Sequence, residues 1–457
     1  MTALSEVRHF RRGDDGYDEA RCATVWNARV PQRFPEVIVQ ASTSADVVVA
    51  VRYAKANNLT VGVRSGGHSW SANHLRDGGM LLDVSRLDVC RVDRETMTAV
   101  VGPGKGGSVL AAELERQGLF FPSGHCRGVA LGGYLLQGGY GWNSRVLGPA
   151  CESVLALDVV TADGEQLRCD AEHHPDLYWA ARGSGPGFFG VVTAFHLRLY
   201  PQPPVCGSSL YIYPFEAADE VYTWARGISA DVDRRVELQI VASRAMPSSG
   251  LDAPGIVLAS PVFAETDDEA KAAVALLDTC PARADALFAV PFAPTNLSTW
   301  FEVVMSNYLT DHRYAVDNMW TSASAAELLP GVRQILETMP PHPSHFLWLN
   351  WGPSPARQDM AYSLEDEVYL ALYSGWADAA DDEKAKIVER RRFVAHMKRH
   401  LHQHRFDWPL GNPSIFTRLC VSNGAFDKRK RRQKTQVEIL AHAQVGYNTQ
   451  VDTGACD

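Results

Sequence analysis

The sequence predicts an α+β protein with two principal domains: a mixed layer of strands and helices, then an antiparallel sheet covered by helices. Three observations carry that expectation. The chain has 457 residues, too many for one hydrophobic core. Short β-branched runs alternate with helix-like segments between residues 36 and 200, and Pro201-Gln202-Pro203-Pro204 then punctuates the chain. Beyond that break strand-like pieces recur, with acidic helix-like stretches between them. The expected divisions are an N-terminal segment 1–30, a first domain 31–204, a second 205–383 and a basic segment 384–457.

In the first domain, Val37-Ile38-Val39 reads as a strand. Ser42-Thr43-Ser44-Ala45-Asp46 offers a capping hydroxyl and an early carboxylate, so a helix is expected over Val47–Ala56. Leu59–Val63, Met80–Val84 and Ala99–Val101 follow as strands and Val109–Glu115 as a helix. Val154–Thr161, a turn at Ala162-Asp163-Gly164-Glu165, and Val191–Tyr200 complete the set. In the second domain the expected strands are Ser209–Tyr213, Arg235–Val241, Ile256–Val262, His345–Trp351 and Glu367–Trp376, with helices over Glu265–Leu277 and Ser324–Met339.

Composition excludes several function classes. The formal net charge is −9, which gives no general attraction to nucleic acid or to an anionic membrane surface. No signal-like apolar stretch opens the sequence and no run is long enough to span a bilayer, so a soluble, cytoplasmic protein is expected. Nine scattered cysteines without a CxxC pair suit neither a disulfide framework nor a zinc site. The segment from residue 384 carries fifteen Lys/Arg against six Asp/Glu, a net of +9, where the remainder carries 29 against 47. His396, His400, His402 and His404 cluster there without partnering carboxylates, and no metal site is read from them.

Two kinds of glycine run need separating. Gly102-Pro103-Gly104-Lys105-Gly106-Gly107 satisfies GxGxxG, yet a dinucleotide fold also needs an acidic residue about twenty positions on. No Asp or Glu lies between Glu115 and Glu152, so a structural turn is expected. Residues 122–141 differ: they hold seven glycines in twenty residues among apolar neighbours, with no charge after Arg127. Flexible linkers are polar; dense glycine in apolar company points to backbone lying against a flat ligand and donating N–H groups to it. Cys126 is the nucleophile within that run, and His68 holds the matching place in Arg64-Ser65-Gly66-Gly67-His68-Ser69.

Together these motifs resemble the FAD-linked oxidases of the vanillyl-alcohol-oxidase superfamily, with their PCMH-type FAD-binding domain of two α/β subdomains, and are most similar to the berberine-bridge-enzyme-like branch. The likeness rests on Arg64–Ser69, Gly124-His125-Cys126-Arg127-Gly128-Val129, Gly132-Gly133 and Gly138-Gly139-Tyr140-Gly141. It continues through Asp176–Gly183 and Phe189-Gly190-Val191-Val192-Thr193. The resemblance implies FAD cradled by the 64–69 loop and by Gly124, Val129, Gly132, Gly133, Gly138, Gly139, Gly141, Gly190 and Val191. It implies a covalent bond from His68 to the flavin 8α-methyl, and a second from Cys126 to flavin C6. Val129 stands where the family leaves room for dioxygen, which implies an oxidase that releases hydrogen peroxide.

The sequence departs from the family's closing pattern, since Phe406-Asp407-Trp408-Pro409 and Tyr447-Asn448 echo it poorly. Two alternatives to an oxidase therefore stand: a flavin dehydrogenase using an organic acceptor, and an FAD-binding protein without turnover. For catalysis, strand alternation puts Glu367, Tyr369 and Tyr373 on one face, so Tyr369 or Tyr373 is the expected base, with Asp359 a further candidate. The substrate is a small molecule whose identity the motifs leave open among alcohols, amines, phenols and sugars. Trp348, Trp351, Tyr369 and Trp376 read equally as an aromatic cleft or as core.

Overall fold

The computed structural model describes residues 4–382 apart from 248–249, 251 and 353–356. The basic segment, with its histidines, Phe406–Pro409 and Tyr447-Asn448, lies outside the described residues. The stretch before residue 31 is part of the first domain's framework. It supplies β1 (Arg8–Arg11) and α1 (Tyr17–Cys22). β1 pairs antiparallel with β2 (Val37–Gln40), register His9 to Val39.

β3 (Val61–Arg64) and β4 (Met80–Asp83) complete a four-stranded sheet of order β1-β2-β4-β3, parallel across its last three strands. The helix between β2 and β3, α2 (Ser44–Ala56), begins with the anticipated capping box. Thr43 accepts from the Asp46 N–H while Asp46 accepts from the Thr43 N–H at 3.0 Å. Its Val47, Ala50, Val51 and Ala54 are buried on the sheet, a helical spacing that covers one face.

A second sheet follows: β5 (Cys90–Asp93), β6 (Thr98–Val101), β8 (Val154–Val160), β9 (Gln166–Cys169) and β10 (Val191–Arg198), antiparallel in the order β5-β6-β10-β8-β9. Short β7 (Leu119–Phe120) pairs with β11 (Tyr200–Pro201). Helices α3 (Gly107–Glu115), α4 (Leu131–Leu136), α5 (Ser144–Leu147) and α6 (Pro175–Ala181) pack around it. The 102–107 run is a structural turn, as expected: a side chain at Gly102 would lie 2.1 Å from the Leu87 carbonyl oxygen, and one at Gly104 2.2 Å from that of Ser85. Those glycines let two loops touch backbone to backbone.

The third sheet has seven antiparallel strands and begins at Val205. Its strands are β12 (Val205–Pro214), β13 (Gln239–Ser243), β14 (Gly255–Ala264), β15 (Phe288–Pro294), β16 (Arg313–Thr321), β17 (His345–Asn350) and β18 (Val368–Trp376). Their order is β15-β12-β14-β13-β17-β18-β16. Helices α7 (Ala218–Gly227), α8 (Asp267–Val274) and α10 (Ala325–Thr338) cover one face, where Phe346, Trp348, Val368, Leu370 and Leu372 join the main core. Helix α9 (Leu297–Met305) packs on the other side, with Trp300 and Phe301 against Trp142. β15, β16, α7 and α9 have no counterpart in the sequence reading.

The two halves interlock by exchanging polar side chains. Arg145 on α5 is buried among main-chain carbonyls of the sheet half, donating to those of Trp351 (2.6 Å), Asp233 (2.8 Å), Val232 and Val236. Burial lowers its pKa to about 10. In return, buried Glu237 accepts from the Asn143 N–H at 2.6 Å and meets His125 Nε2 at 2.8 Å. Asn27 ties the N-terminal stretch to edge strand β16, donating to the Tyr314 carbonyl (2.8 Å) and accepting from the Tyr314 N–H (3.0 Å).

Candidate active site

The loop leaving β3 is anchored at its first residue. Arg64 Nη1 meets Asp83 Oδ1 at 3.1 Å, both side chains largely buried. Ser65 Oγ accepts from the Gly133 N–H at 3.2 Å, joining this loop to α4. Gly67 has φ +73°, the left-handed region, and a side chain there would lie 2.2 Å from the Thr24 carbonyl oxygen. That conformation turns the chain so that His68 stacks on Trp26, with ring centroids 5.3 Å apart. Burial, with Arg64 nearby, lowers the His68 pKa to about 4, so at neutral pH its imidazole keeps a free lone pair.

The second loop crosses the first. A side chain at Gly66 would lie 2.8 Å from the Ala130 nitrogen, and one at Gly128 3.0 Å from His68 Nε2. Cys126 is thereby carried into the same region as His68 and, like Trp26 and Trp70, packs against the cluster of Tyr308, Tyr314, Ala371 and Tyr373. Burial pushes its thiol up to about 12, so it is protonated at neutral pH. The Val129 carbonyl accepts from the Gly107 N–H at 2.9 Å.

The remaining glycines behave differently from a simple ligand lining. Gly124 and Gly139 face the Tyr134 ring, Gly132 faces Ser65, Gly138 faces the Tyr362 ring, Gly141 faces the Ser123 carbonyl and Gly190 faces Val159. Val191 is buried beside α2. Only Gly133 of this group opens on free space within 4 Å. The absent side chains therefore bring protein segments together, and those segments in turn place His68 and Cys126. Ser69 lies at the loop's end, its hydroxyl 3.3 Å from that of Ser71.

Opposite these loops stands the uncovered face of β16, β17 and β18. Tyr369 and Tyr373 do share that face, with Ala371 between them, while Val368, Leu370 and Leu372 point to the helices. The phenols of Tyr369, Tyr373 and Tyr308 act on one another, and burial keeps all three well above their ordinary pKa. The other groups acting most strongly on them are tyrosines and Cys126. His345 stacks on Tyr373 at 4.6 Å, and burial lowers its pKa to about 4.

Two candidates from the sequence stand apart. Glu367 precedes β18 and pairs with Arg226 of α7 at 2.5 Å, so the alternation that placed it beside the tyrosines does not reach it. Asp359 accepts from Trp179 Nε1 at 2.8 Å, and its carbonyl from Arg182. It belongs to a strap that packs Met360 on Cys151 and Tyr362 on Gly138, and not to the tyrosine group. Of the tryptophans, Trp348 is core, Trp351 meets Tyr140 edge-on and Trp376 donates to Asp382.

Trp26, Trp70, Tyr308, Tyr314, Trp320 and His345 were missed by sequence reasoning. Trp70 meets Tyr373 at 5.7 Å and Trp26 meets Tyr314 at 5.7 Å, so these two rings bridge the halves. The only available signal was position: Trp26 and Trp70 flank the two ends of motif-bearing segments, and no motif marks the others.

The site suits a flat, flavin-sized group. Two nucleophilic side chains reach it from crossing loops, Gly133 leaves a backbone face open, and Trp26, Trp70, Trp320 and Tyr369 are only half-buried. Among the described residues no helix is long and apolar enough to cross a membrane.

Comparison with known proteins gives a consistent picture. Residues 35–170 match the FAD binding domain family. An FAD-linked oxidoreductase (nodO) of Hypoxylon pulicicidum is 32% identical over 389 residues, covering 82% of this chain and 84% of its own. The (R)-6-hydroxynicotine oxidase of Paenarthrobacter nicotinovorans is 36% identical over 190 residues, 42% of this chain and 41% of its own. In fold, the chain resembles the BBE-like 1 protein of Physcomitrella patens with a TM-score of 0.76 at 19% identity, covering 92% and 94% of the two chains.

Proposed function

Because this chain belongs to the FAD-linked oxidoreductases of the berberine-bridge-enzyme-like family, and is thus an FAD-dependent oxidoreductase, we propose that it is an oxidase with FAD held covalently by both His68 and Cys126. One observation carries the reading: two loops from separate parts of the chain cross so that His68 and Cys126 face a common space, closed on its far side by Tyr369 and Tyr373. Held there by His68 and Cys126, a flavin would supply a hydride acceptor and a route for electrons to dioxygen, with hydrogen peroxide as the product.

The protein's own part is binding and proton handling. The neutral His68 imidazole has the lone pair that attachment to carbon requires, while Cys126 must first lose its proton. The two tethers are therefore unequal in readiness. Across the cleft, Tyr369 and Tyr373 are placed to hydrogen-bond the substrate's reacting hydroxyl. Tyr308 packs beside Tyr373, with ring centroids 5.3 Å apart. Trp26 and Trp70 exclude water from the seam between the halves.

Acid precipitation of the purified holoenzyme tests the attachment. Yellow flavin and the matching mass increase should stay with the pellet in the wild type. His68→Ala and Cys126→Ala should each retain flavin, with the greater loss in His68→Ala, and the double variant should release it. Flavin washing out of the wild type would overturn the covalent reading. Reoxidation of substrate-reduced enzyme by a quinone but not by dioxygen would make it a dehydrogenase.

A further inference from the structure

We propose that the substrate is a neutral, ring-bearing, largely hydrocarbon alcohol, and that protonated amines and oligosaccharides are excluded by the chemistry of the cleft wall. This rests on the site assigned above and narrows it.

The wall is read from strand register. Pairing places Trp320 beside Tyr369, Asn318 beside Ala371 and Val316 beside Tyr373. The row continues from Tyr369 to Leu349 and Gln239, and from Ala371 to Leu347 and Val241. Side chains in register project from the same face. On that face of β13, β16, β17 and β18 there is no Asp, Glu, Lys or Arg; the charged residues of β16, Arg313 and Asp317, alternate to the other side. His345 is the one ionisable ring in the row, and its Nδ1–H donates locally to the Pro343 carbonyl, 3.0 Å away.

Charge does stand nearby, but it is consumed. Glu237 is occupied by the Asn143 N–H, His125 and Gln239. Arg127 and Glu302 pair with each other where the 124–129 loop meets α9, both well exposed. A protonated amine entering this cleft would lose its water without gaining a carboxylate, and an isolated charge is the most costly group to bury. A sugar would bring a hydroxyl on nearly every carbon. Against them the wall offers the tyrosine hydroxyls, Asn318 and Gln239, separated by apolar side chains, and each hydroxyl buried without a partner weakens binding. The half-buried rings of Trp26, Trp70, Trp320 and Tyr369 instead present flat apolar faces suited to fused or aromatic rings.

Calorimetric titration of the holoenzyme separates these classes on one carbon frame. The probes are 1-indanone, a neutral ring that has no hydride to give, protonated 1-aminoindane, and cellobiose. The ketone should bind about a hundredfold more tightly than the ammonium compound, and cellobiose should give no measurable heat. Val316→Asp, which puts a carboxylate into the row, should raise the affinity for 1-aminoindane about tenfold and lower that for 1-indanone. Equal or tighter binding of the amine or of cellobiose to the wild type overturns the proposal, whether or not the variant folds. Anaerobic mixing with 1-indanol reads the underlying function separately. Selective binding of the ketone, with the flavin left oxidised by the alcohol, would uphold the wall's preference and overturn the reactivity assigned to the alcohol in this cleft.

Discussion

The two faces of the seven-stranded sheet are built from the same strands and are both rich in aromatic rings, yet they are used differently. Beneath α7 and α10, Phe346 and Trp348 are fully buried and Tyr222 packs on both. Trp348 Nε1 donates to Asn350, whose own amide donates to the Ala225 carbonyl of α7. Polar atoms on this face are spent on holding a helix. On the opposite face Tyr369 and Trp320 are half-buried, and Tyr373 and Tyr308 meet edge to face. Aromatic content alone does not mark a site. What marks it is a ring with a free face and a polar group that no neighbouring element uses.

That contrast is broken or upheld by paired truncations. Trp348→Ala should cost about 3–5 kcal/mol of stability, the range for emptying a filled core, and should lower the flavin content of recovered protein. Trp320→Ala should cost under about 1 kcal/mol and act on KM. Urea denaturation of the two variants decides it: equal losses would mean that both faces are core. Tyr373→Phe comes next in size. It keeps the ring that stacks on His345 and removes only the hydroxyl. We expect kcat to fall about a hundredfold with the melting temperature nearly unchanged; unaltered kcat would remove Tyr373 from the proton path.

The same contrast explains how much was legible in the sequence. The FAD-binding half leaves local signals: Thr43 and Asp46 supply the anticipated hydroxyl and carboxylate, and glycine-rich runs mark the loops bearing His68 and Cys126. The glycine argument, that dense glycine lays backbone against a flat ligand, is not what these positions show: most are pressed against protein and only Gly133 is open. The sheet half gave Tyr369 and Tyr373 because alternation along one strand is visible in one strand's sequence. Tyr308, Tyr314 and Trp320 were hidden because they reach the same face from an edge strand and a connecting loop. Edge strand β16 reads RYAVDNMWT, with Arg313, Asp317 and Asn318 obscuring its period. Register between distant segments is a tertiary property, and Asp359 shows the converse error: nearness in sequence to the tyrosine-bearing strand put a residue of the Trp179 strap among the candidates.

The smallest effect separates the two halves by acidity. His74, in the FAD-binding half, and His345, beneath the tyrosines, are both buried with pKa values lowered to about 4, chiefly by loss of water; Arg64 adds to this at His74 and His342 at His345. An unfolded histidine titrates near 6.5. Between pH 6.5 and 4 the unfolded chain therefore binds more protons than the folded one, and stability falls as pH falls through that window. Above pH 6.5 the contribution is fully present. Each histidine sets a slope of up to about 1.4 kcal/mol per pH unit, ahead of the carboxylates that titrate lower. Urea midpoints across this range should decline in the wild type and decline less steeply in His74→Gln and in His345→Gln. In His345→Gln the His74 contribution remains, so the rise in fluorescence of the tethered flavin should stay coincident with unfolding on acidification. A midpoint flat from pH 7 to 4.5 would show that neither ring is held neutral by its surroundings.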